Sequence, residues 1–555
     1  MGKGTPILLR SWYPLLAILI LYSALSLYQI NLPGLHYDEA FEAVPALQLL
    51  QGQPVTAFRN STITLGPYAL PLMTQDYIGA LNTYLALPFM ALLGSTVAAL
   101  RVMSVTVGGV TLILTFLLAQ KLTGQNWVGL LAALLLSVDP TFIFWNRQGI
   151  FVTAIIATIG LAATYCWLRR IERGSMGWSI AASFLLGLGL YAKVLFVWLI
   201  FGLVGAAVLL HARRLIRQRH RWRELITNHL SPAEGLVAGL AFLLGCAPLL
   251  AYNWQTGGTW QNITQNASTS YYGVNNLAVG ANLGARLSQF ATFLMDAHLW
   301  YLGVVRHNFW SLFVFVGLVG GVVILSTRNQ KDVNSTYKIA LFPPLVIGLV
   351  ILASIGTVSA LWVTHFALLM PWPALTIAVG VWFMWRQLSD TVVKTLVVAA
   401  LGVLLASNTI TSLRYHQALT HSGGLSSHSD AIYDLSQWLA QHASGPVIAM
   451  DWGLAAPVTY LTHGQVNAIE IFGYQWQSDV KLSGRLQQAI ERPNALYLWR
   501  APNEIIFDRS GQFKALYRPK NLQENIEEAF YEKSGRPLLG VTRLVEKGTA
   551  TNPPQ

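Results

Sequence analysis

Apolar residues recur along this chain as long unbroken runs, not as stripes. The first run spans roughly Trp12 to Ile30. A fifty-residue stretch of mixed polarity, Asn31 to Ala80, follows it. Further runs lie at roughly 81–97, 102–120, 127–144, 149–168, 178–192, 194–211, 235–253, 307–326, 338–356, 360–383 and 391–410. Most approach the roughly 20 residues a helix needs to cross the hydrocarbon core of a bilayer. The pattern predicts a polytopic α-helical membrane protein with about 11 to 13 transmembrane helices. Beyond residue 411 it changes. Residues 412–429 read as a polar Ser/Gly/His linker. After it, β-like stretches such as Pro446 to Met450 and Asn494 to Trp499 alternate with helical patterns such as Asp479 to Glu491 and Leu522 to Tyr531. The expected organisation is a transmembrane region over 1–411, whose first outer loop (31–80) carries juxtamembrane helices, the linker 412–429, and a small α/β domain over 430–555.

Composition agrees. Hydrophobic residues make up 54% of the chain and charged residues only 11%, against about 25% charged in an ordinary soluble domain. A disordered chain and a simple cytosolic enzyme are both excluded. The net charge of +12, from 36 Lys+Arg against 24 Asp+Glu, would suggest nucleic acid in a soluble protein. Here the basic residues cluster between apolar runs, as the positive-inside rule predicts, and no nucleic-acid partner is expected. Arg169, Arg170 and Arg173 mark one cytoplasmic loop, and Arg213, Arg214, Arg217, Arg219, Arg221 and Arg223 another. Arg328, Lys331 and Lys338 mark a third, and Arg386 with Lys394 a fourth. This sets the N-terminus in the cytoplasm. Residues 31–80, the loop 254–306 and the C-terminal domain fall outside, with Arg147 and Lys193 near the outer face. Parity then requires one run between 81 and 144 not to cross. The run 81–97, interrupted by Pro88, is the candidate, which leaves eleven crossings. Cys166 and Cys246 both sit in apolar runs and are expected to pack rather than pair.

The segment Leu35-His36-Tyr37-Asp38-Glu39-Ala40-Phe41-Glu42 follows the first run on the outer side. Carboxylates at a membrane boundary are costly to desolvate, so they tend to have work or a partner. One could act as general base on an acceptor hydroxyl or amine while the other orients it or binds a metal. A solvated acidic loop is the alternative. No Walker loop, GxSxG elbow or HExxH motif is present, which leaves ATP hydrolysis, serine hydrolase and zincin chemistry without support.

The Tyr37-Asp-Glu-Ala40 motif after a first membrane helix resembles the Asp-Glu signature of the GT-C superfamily of membrane glycosyltransferases. More narrowly, it resembles the family of protein O-mannosyltransferases and lipid A aminoarabinose transferases. Later segments follow in the family's order: Gly94 to Arg101, Asp139-Pro140 to Arg147, Gly187 to Lys193, Pro248 to Asn253 with Gly257 and Gly258, and His365 to Pro371. The resemblance covers about the first 410 residues. The chain departs from it in three places. Gln148-Gly149-Ile150 follows Arg147 where an Asp is frequent, His365 stands where Arg is frequent, and Tyr77 to Tyr84 replaces a His-Pro-Pro segment.

The resemblance implies transfer of a hexosyl or pentosyl group from a polyprenyl-phosphate donor to an acceptor outside the membrane, with inversion at the anomeric carbon. The acceptor could be a protein, a glycolipid or a cell-wall glycan. Asp38 would be the general base, and Glu39 its neighbour in binding or orienting the acceptor. Arg147 and Lys193 are the first candidates to hold the donor phosphate, with Arg101 and His365 behind them; arginine offers a planar fork and lysine a point charge. Snorkelling of the cations and a structural role for His365 are the alternatives. Tyr37, Asp76 and Tyr77 are candidate acceptor or sugar contacts. Asp76 could also be the second acid that some GT-C enzymes use for a metal, or a helix cap. A divalent metal is left open, and no cofactor or metal ligand set is assigned. Tyr271 and Tyr272 could cover the donor. The competing reading is a transporter or flippase of lipid-linked sugars, which would need cations but neither an outward carboxylate pair nor a folded outer domain. Membrane lipid is an expected partner, and the bacterial inner membrane is the expected location.

Overall fold

The computed structural model describes residues 7–148, 151–217, 231–328, 336–471 and 481–548. Gly149, Ile150, Arg219, Arg221, Arg223, Lys331 and the start of the helical pattern at Asp479 lie outside the described residues. The chain opens with α1 (Ile7–Leu27) and then α2 (Tyr37–Leu50). Two small antiparallel pairs follow, β1 (Thr62–Leu65) with β2 (Tyr68–Pro71), and β3 (Met73–Gln75) with β4 (Ile78–Gly79). Next come α3 (Leu81–Leu93) and α4 (Val97–Thr123). The α4 helix begins where the Thr96 hydroxyl accepts from the Ala99 amide at 3.1 Å and ends at Gly124, whose φ of 72° closes the last turn.

Five helices among the described residues are long and apolar enough to cross a membrane: Val97–Thr123, Val194–His211, Phe309–Thr327, Thr336–Ala353 and Thr391–Ser422. Three runs that read as single spans are bent. Asn126–Ser137 meets Pro140–Arg147 at 65°, Pro232–Gly245 meets Ala247–Thr256 at 61°, and Val363–Leu369 meets Pro371–Gln387 at 50°. Counting each bent pair as one span gives up to eight, and Trp12–Leu27, Leu81–Leu93 and Met176–Ala192 are shorter apolar helices. The α3 helix, within the run 81–97, has 13 residues, well short of the roughly 20 needed to span. Large apolar side chains such as Phe201, Val204, Leu240, Leu244, Phe313 and Val316 point outward along these helices. Burial inside the bundle does not explain them, and contact with lipid does. Cys166 and Cys246 are buried and free.

Two expectations are corrected beyond residue 411. The last long helix runs from Thr391 through Ser422, so residues 412–422 are helix and not linker. Their polar side chains are buried at helical spacing: Ser412 bonds the Val138 carbonyl, Tyr415 the Asp296 carbonyl at 2.6 Å, and His416 meets Arg147. The segment Leu522 to Tyr531, expected as helix, is strand β8 (Leu522–Tyr531), paired along its length with β9 (Pro537–Glu546). Ladder pairing with β9, which carries the buried Leu538, Leu539 and Val541, outweighs the helix propensity of its glutamates. With β5 (Val447–Ala449), β6 (Ile469–Glu470) and β7 (Leu496–Arg500) these strands form one sheet in the order β6-β5-β7-β9-β8. Strands β5, β6 and β7 run parallel, and β9 is antiparallel to β7 and β8. Helices Ala431–His442 and Ala455–Leu461 cover one face, and Leu482–Ile490 with Ser510–Tyr517 cover the other.

The α2 helix lies between the two parts. Ala40, Ala43, Ala46 and Leu47 pack with Ala86 and Met90 of α3, with Leu100 and Met103 of α4, and with Tyr460 of the C-terminal part. The Tyr460 hydroxyl also donates to the Thr96 carbonyl at 3.1 Å. The expected outer loop 254–306 holds two further helices, Gly258–Gln265 and Val279–Leu294.

Candidate functional site

The N-terminus of α2 is built by contacts from distant parts of the chain. The Gly34 amide donates to the His428 carbonyl at 2.7 Å, and a Cβ on Gly34 would sit 2.0 Å from the Ser429 carbonyl oxygen. Only glycine allows that approach. The His36 imidazole then caps α2 by accepting from the Asp38 amide through Nδ1 at 3.3 Å. Its ring stacks on His428 with centroids 4.3 Å apart, and His428 stacks on Tyr301 at 4.2 Å. Trp452 closes the edge, 5.7 Å from the His36 ring and 4.7 Å from that of Tyr37. Burial holds the His36 pKa below the usual range and that of His428 well below it.

Asp38 stands in the first turn with its side chain 62% exposed. Helix geometry turns its sequence neighbour away from it, since successive residues lie about 100° apart around the axis. Glu39 is buried and pairs with Arg101 at 2.8 Å. Glu42, one turn on, shares the Asp38 face. Its carboxylate accepts from Asn82 Nδ2 at 2.5 Å, and its backbone carbonyl accepts from the Thr83 hydroxyl at 2.8 Å. Burial raises the Glu42 pKa to about 8, although the Asn82 bond and Lys193 oppose the shift.

Lys193 ends the helix Met176–Ala192 in an extended conformation. It forms an antiparallel bridge with Ile78, and the next amide, of Val194, donates to the Tyr77 carbonyl at 3.0 Å. The β4 edge is thereby joined to the helix end, and Gly79 is needed there because a Cβ would lie 2.4 Å from the Tyr191 carbonyl oxygen. The Lys193 ammonium has no hydrogen bond or ion pair among the described residues. It lies within electrostatic range of Glu42, Asp38 and His365. Tyr77, Tyr271 and Tyr272 stand within range of Asp38, and the Tyr77 and Tyr271 hydroxyls are 3.3 Å apart.

The other expected site residues are engaged elsewhere. Arg101 donates twice to Glu39 and also to the carbonyls of Ile30 and Gly34. Arg147, fully buried, donates to the carbonyls of Tyr28 and Gln29 at the end of α1 and meets His416 Nδ1 at 3.3 Å. Neither guanidinium reaches the Asp38 face. Both belong to a clamp that satisfies carbonyls of the α1–α2 connection. Asp76 is bound by Arg59 at 2.8 Å and by the Tyr252 hydroxyl at 2.6 Å, with Asn262 at 3.5 Å. It ties the outer hairpins to the helix Ala247–Thr256 and caps no helix. No group of three or more His, Cys, Asp or Glu among the described residues is arranged to hold a metal ion. Tyr37 is buried, and its hydroxyl donates to Glu470 at 3.1 Å. His365 is buried between Arg286, 3.2 Å from Nδ1, and Ser359, 3.4 Å from Nε2.

Sequence reasoning passed over Arg286 and Glu42. Arg286 is wholly buried in the helix Val279–Leu294, bonded to the carbonyls of Ser354 and Trp362 and lying over Trp198 and Phe366 at 5.6 Å. Its signal was the spacing of Asn282, Arg286, Phe290 and Phe293 in a segment read as loop. The signal for Glu42 was its i, i+4 relation to Asp38.

The fold and its site can now be compared with known proteins. The chain matches the crystal structure of ArnT from Cupriavidus metallidurans bound to undecaprenyl phosphate, with a TM-score of 0.59 and 11% identity, covering 95% of this chain and 97% of that one. The apo state of the same protein matches with a TM-score of 0.57 and 10% identity over the same shares. By fold, then, the chain is a multi-pass membrane protein with the architecture seen in ArnT. Residues 80–233 match the family model described as dolichyl-phosphate-mannose-protein mannosyltransferase. No curated protein matches the sequence.

Proposed function

We propose that this chain transfers a sugar from a polyprenyl-phosphate donor to an acceptor on the outer side of a membrane, with Asp38 as the general base. One observation carries the proposal: the exposed Asp38 carboxylate and the Lys193 ammonium, unpartnered among the described residues, stand within electrostatic range of each other. A base for an acceptor and a cation for a phosphate are the two charges the transfer needs. Asp38 takes the proton as the acceptor oxygen or nitrogen attacks C1 of the sugar. The bond from C1 to the phosphate oxygen breaks, and its electron pair leaves with the lipid phosphate. Lys193 stabilises the charge that gathers there, and Arg286 extends the positive field through His365. A single displacement inverts the anomeric centre. Tyr77, Tyr271 and Tyr272 offer rings and hydroxyls to the sugar. ArnT bound to undecaprenyl phosphate supports a lipid of this type as donor carrier. The N-terminus lies in the cytoplasm and residues 430–555 outside, in a bacterial inner membrane, with a protein, glycolipid or cell-wall glycan as acceptor.

The test uses the full chain in nanodiscs with radiolabelled polyprenyl-phosphate monosaccharides and an envelope extract as acceptor. Label is expected to reach an acceptor with wild type and not with Asp38→Asn. Lipid flipping that survives Asp38→Asn, with no transfer by either protein, would instead make the chain a flippase.

A further inference from the structure

We propose that Glu42 is a second working carboxyl of this site: it protonates the lipid phosphate as that phosphate leaves, while Asp38 receives the proton of the acceptor. The inference rests on the transferase reading above. Position is the first support. The i, i+4 spacing sets Glu42 one helical turn beyond Asp38 on the same face of α2, and Lys193 is within electrostatic range of both. The Glu42 side is therefore where a phosphate held by Lys193 lies, and Asp38, at the exposed end, faces the acceptor.

The partners of Glu42 are the second support. Asn82 holds the carboxyl and the Thr83 hydroxyl holds the backbone of the same residue. Both stand in the first turn of α3, which thus supplies a two-point grip that fixes Glu42 in one place.

Charge supplies the third. Lys193 is a single ammonium, and Asp38 already carries a negative charge. An ionised Glu42 would add a second carboxylate beside an incoming phosphodiester, and the site would repel its own donor. A protonated Glu42 removes that repulsion and leaves a donor ready. Its pKa of about 8 keeps the proton in place at neutral pH. Asp38, Lys193 and the Tyr191 phenol are the titratable groups that face it.

The step balances. The acceptor's bond to C1 forms and its proton goes to Asp38. The C1–O bond to phosphate breaks, its electron pair stays on that oxygen, and the Glu42 proton neutralises one negative charge of the departing monoester. Asp38 ends protonated and Glu42 ionised. Passing one proton from Asp38 to Glu42 along the shared face resets the site.

The experiment measures transfer from undecaprenyl-phosphate monosaccharides by the full chain in nanodiscs, as wild type, Asp38→Asn, Glu42→Gln and Asn82→Ala. Transfer by wild type and its loss in Asp38→Asn establish the underlying reading. Glu42→Gln is then expected to lower kcat by about 100-fold, the usual scale of general acid catalysis, with the KM for donor little changed. Wild-type kcat is expected to fall as pH rises through about 8, a limb absent from the Glu42→Gln profile. Asn82→Ala removes a bond that favours the carboxylate, so its limb moves to higher pH. Glu42→Gln acting at the wild-type rate overturns the inference and leaves the transferase standing. Should Glu42→Gln fail to fold, a wild-type kcat that stays flat from about pH 7 to pH 9 overturns it equally. Absence of transfer by wild type overturns both.

Discussion

Glu39 and Arg101 face each other through two hydrogen bonds, Nε to Oε1 at 2.8 Å and Nη2 to Oε2 at 3.1 Å, with both side chains shut off from solvent. The pair splits the Asp38-Glu39 dipeptide. Asp38 looks outward to the site, and Glu39 looks inward and joins α2 to α4. Bidentate arginine–carboxylate geometry of this kind fixes direction as well as distance, so it sets the rotation of α2 and with it the heading of Asp38.

Breaking that pair leaves one charge buried alone. Glu39→Gln and Arg101→Met are each expected to destabilise the fold by about 3–5 kcal/mol. The double variant Glu39→Met with Arg101→Met should regain part of the loss, because it leaves no orphan charge although the Ile30 and Gly34 carbonyls lose their donor. Thermal unfolding of the three variants in detergent checks this. Single variants that melt with wild type would show the pair to be idle.

Asp38→Asn should behave in the opposite manner. The side chain is 62% exposed and, among the described residues, its carboxylate meets only the neighbouring His36 ring, at 3.8 Å, so the melting temperature should stay close to that of wild type. Transfer should drop by about 100- to 10,000-fold. Activity retained alongside unchanged stability would remove Asp38 from the reaction.

Lys193→Gln shortens the side chain by one atom and removes its charge. A hydrogen bond to a charged group contributes about 1.5–3 kcal/mol, so binding of undecaprenyl phosphate should weaken by about 10- to 100-fold. Titration calorimetry in detergent reads this directly. Arg147→Gln should chiefly lower stability, since Arg147 holds the end of α1. Equal affinity losses in the two variants would mean that the clamp also binds the lipid.

The stacked His36 and His428 predict how stability responds to acid. Burial favours the neutral form of both rings, against the pull of Asp38 and Glu39 on His36 and with the help of Arg101 and Arg500. The unfolded chain binds protons at these histidines below about pH 6.5, while the folded chain resists them. The stacked pair is thus fully stabilising above that pH, and stability falls as pH drops below it. Melting temperatures of wild type and His428→Phe from pH 7.5 to 5 test the point. The phenylalanine keeps a ring in the stack and cannot titrate, so its curve should be the flatter of the two.

Much of the bundle was legible because a run of apolar letters marks a membrane helix whatever surrounds it. Bends were not, because a run broken at Val138 or Cys246 has the same letters as a straight one. Residues 412–422 were hidden for another reason. Their polar side chains find partners 119 and 274 residues away, as Tyr415 does with Asp296 and Ser412 with Val138, and no local pattern encodes such a partner. In β8, Glu524, Glu527 and Glu528 spell helix locally, and only β9 makes the segment a strand. At the site, family resemblance drew attention to Asp38 and Lys193. It could not separate Glu39 from Glu42, because that depends on which face of α2 meets α4. Trp452 and His428 gave no sign of their place beside α2, since nothing in their own segments refers to residue 36.

The histidine stack also fixes when the start of α2 can be completed during synthesis of the chain. His36 leaves the ribosome early, whereas His428, which lies against it, follows roughly 390 residues later, some 20–80 s at 5–20 residues per second. Through that interval the start of α2 has neither its stacking partner nor the carbonyl that receives the Gly34 amide. A nascent or truncated chain can thus hold every membrane helix and still lack the ordered start of α2 that carries Asp38, because that order is completed only by residues of the C-terminal part.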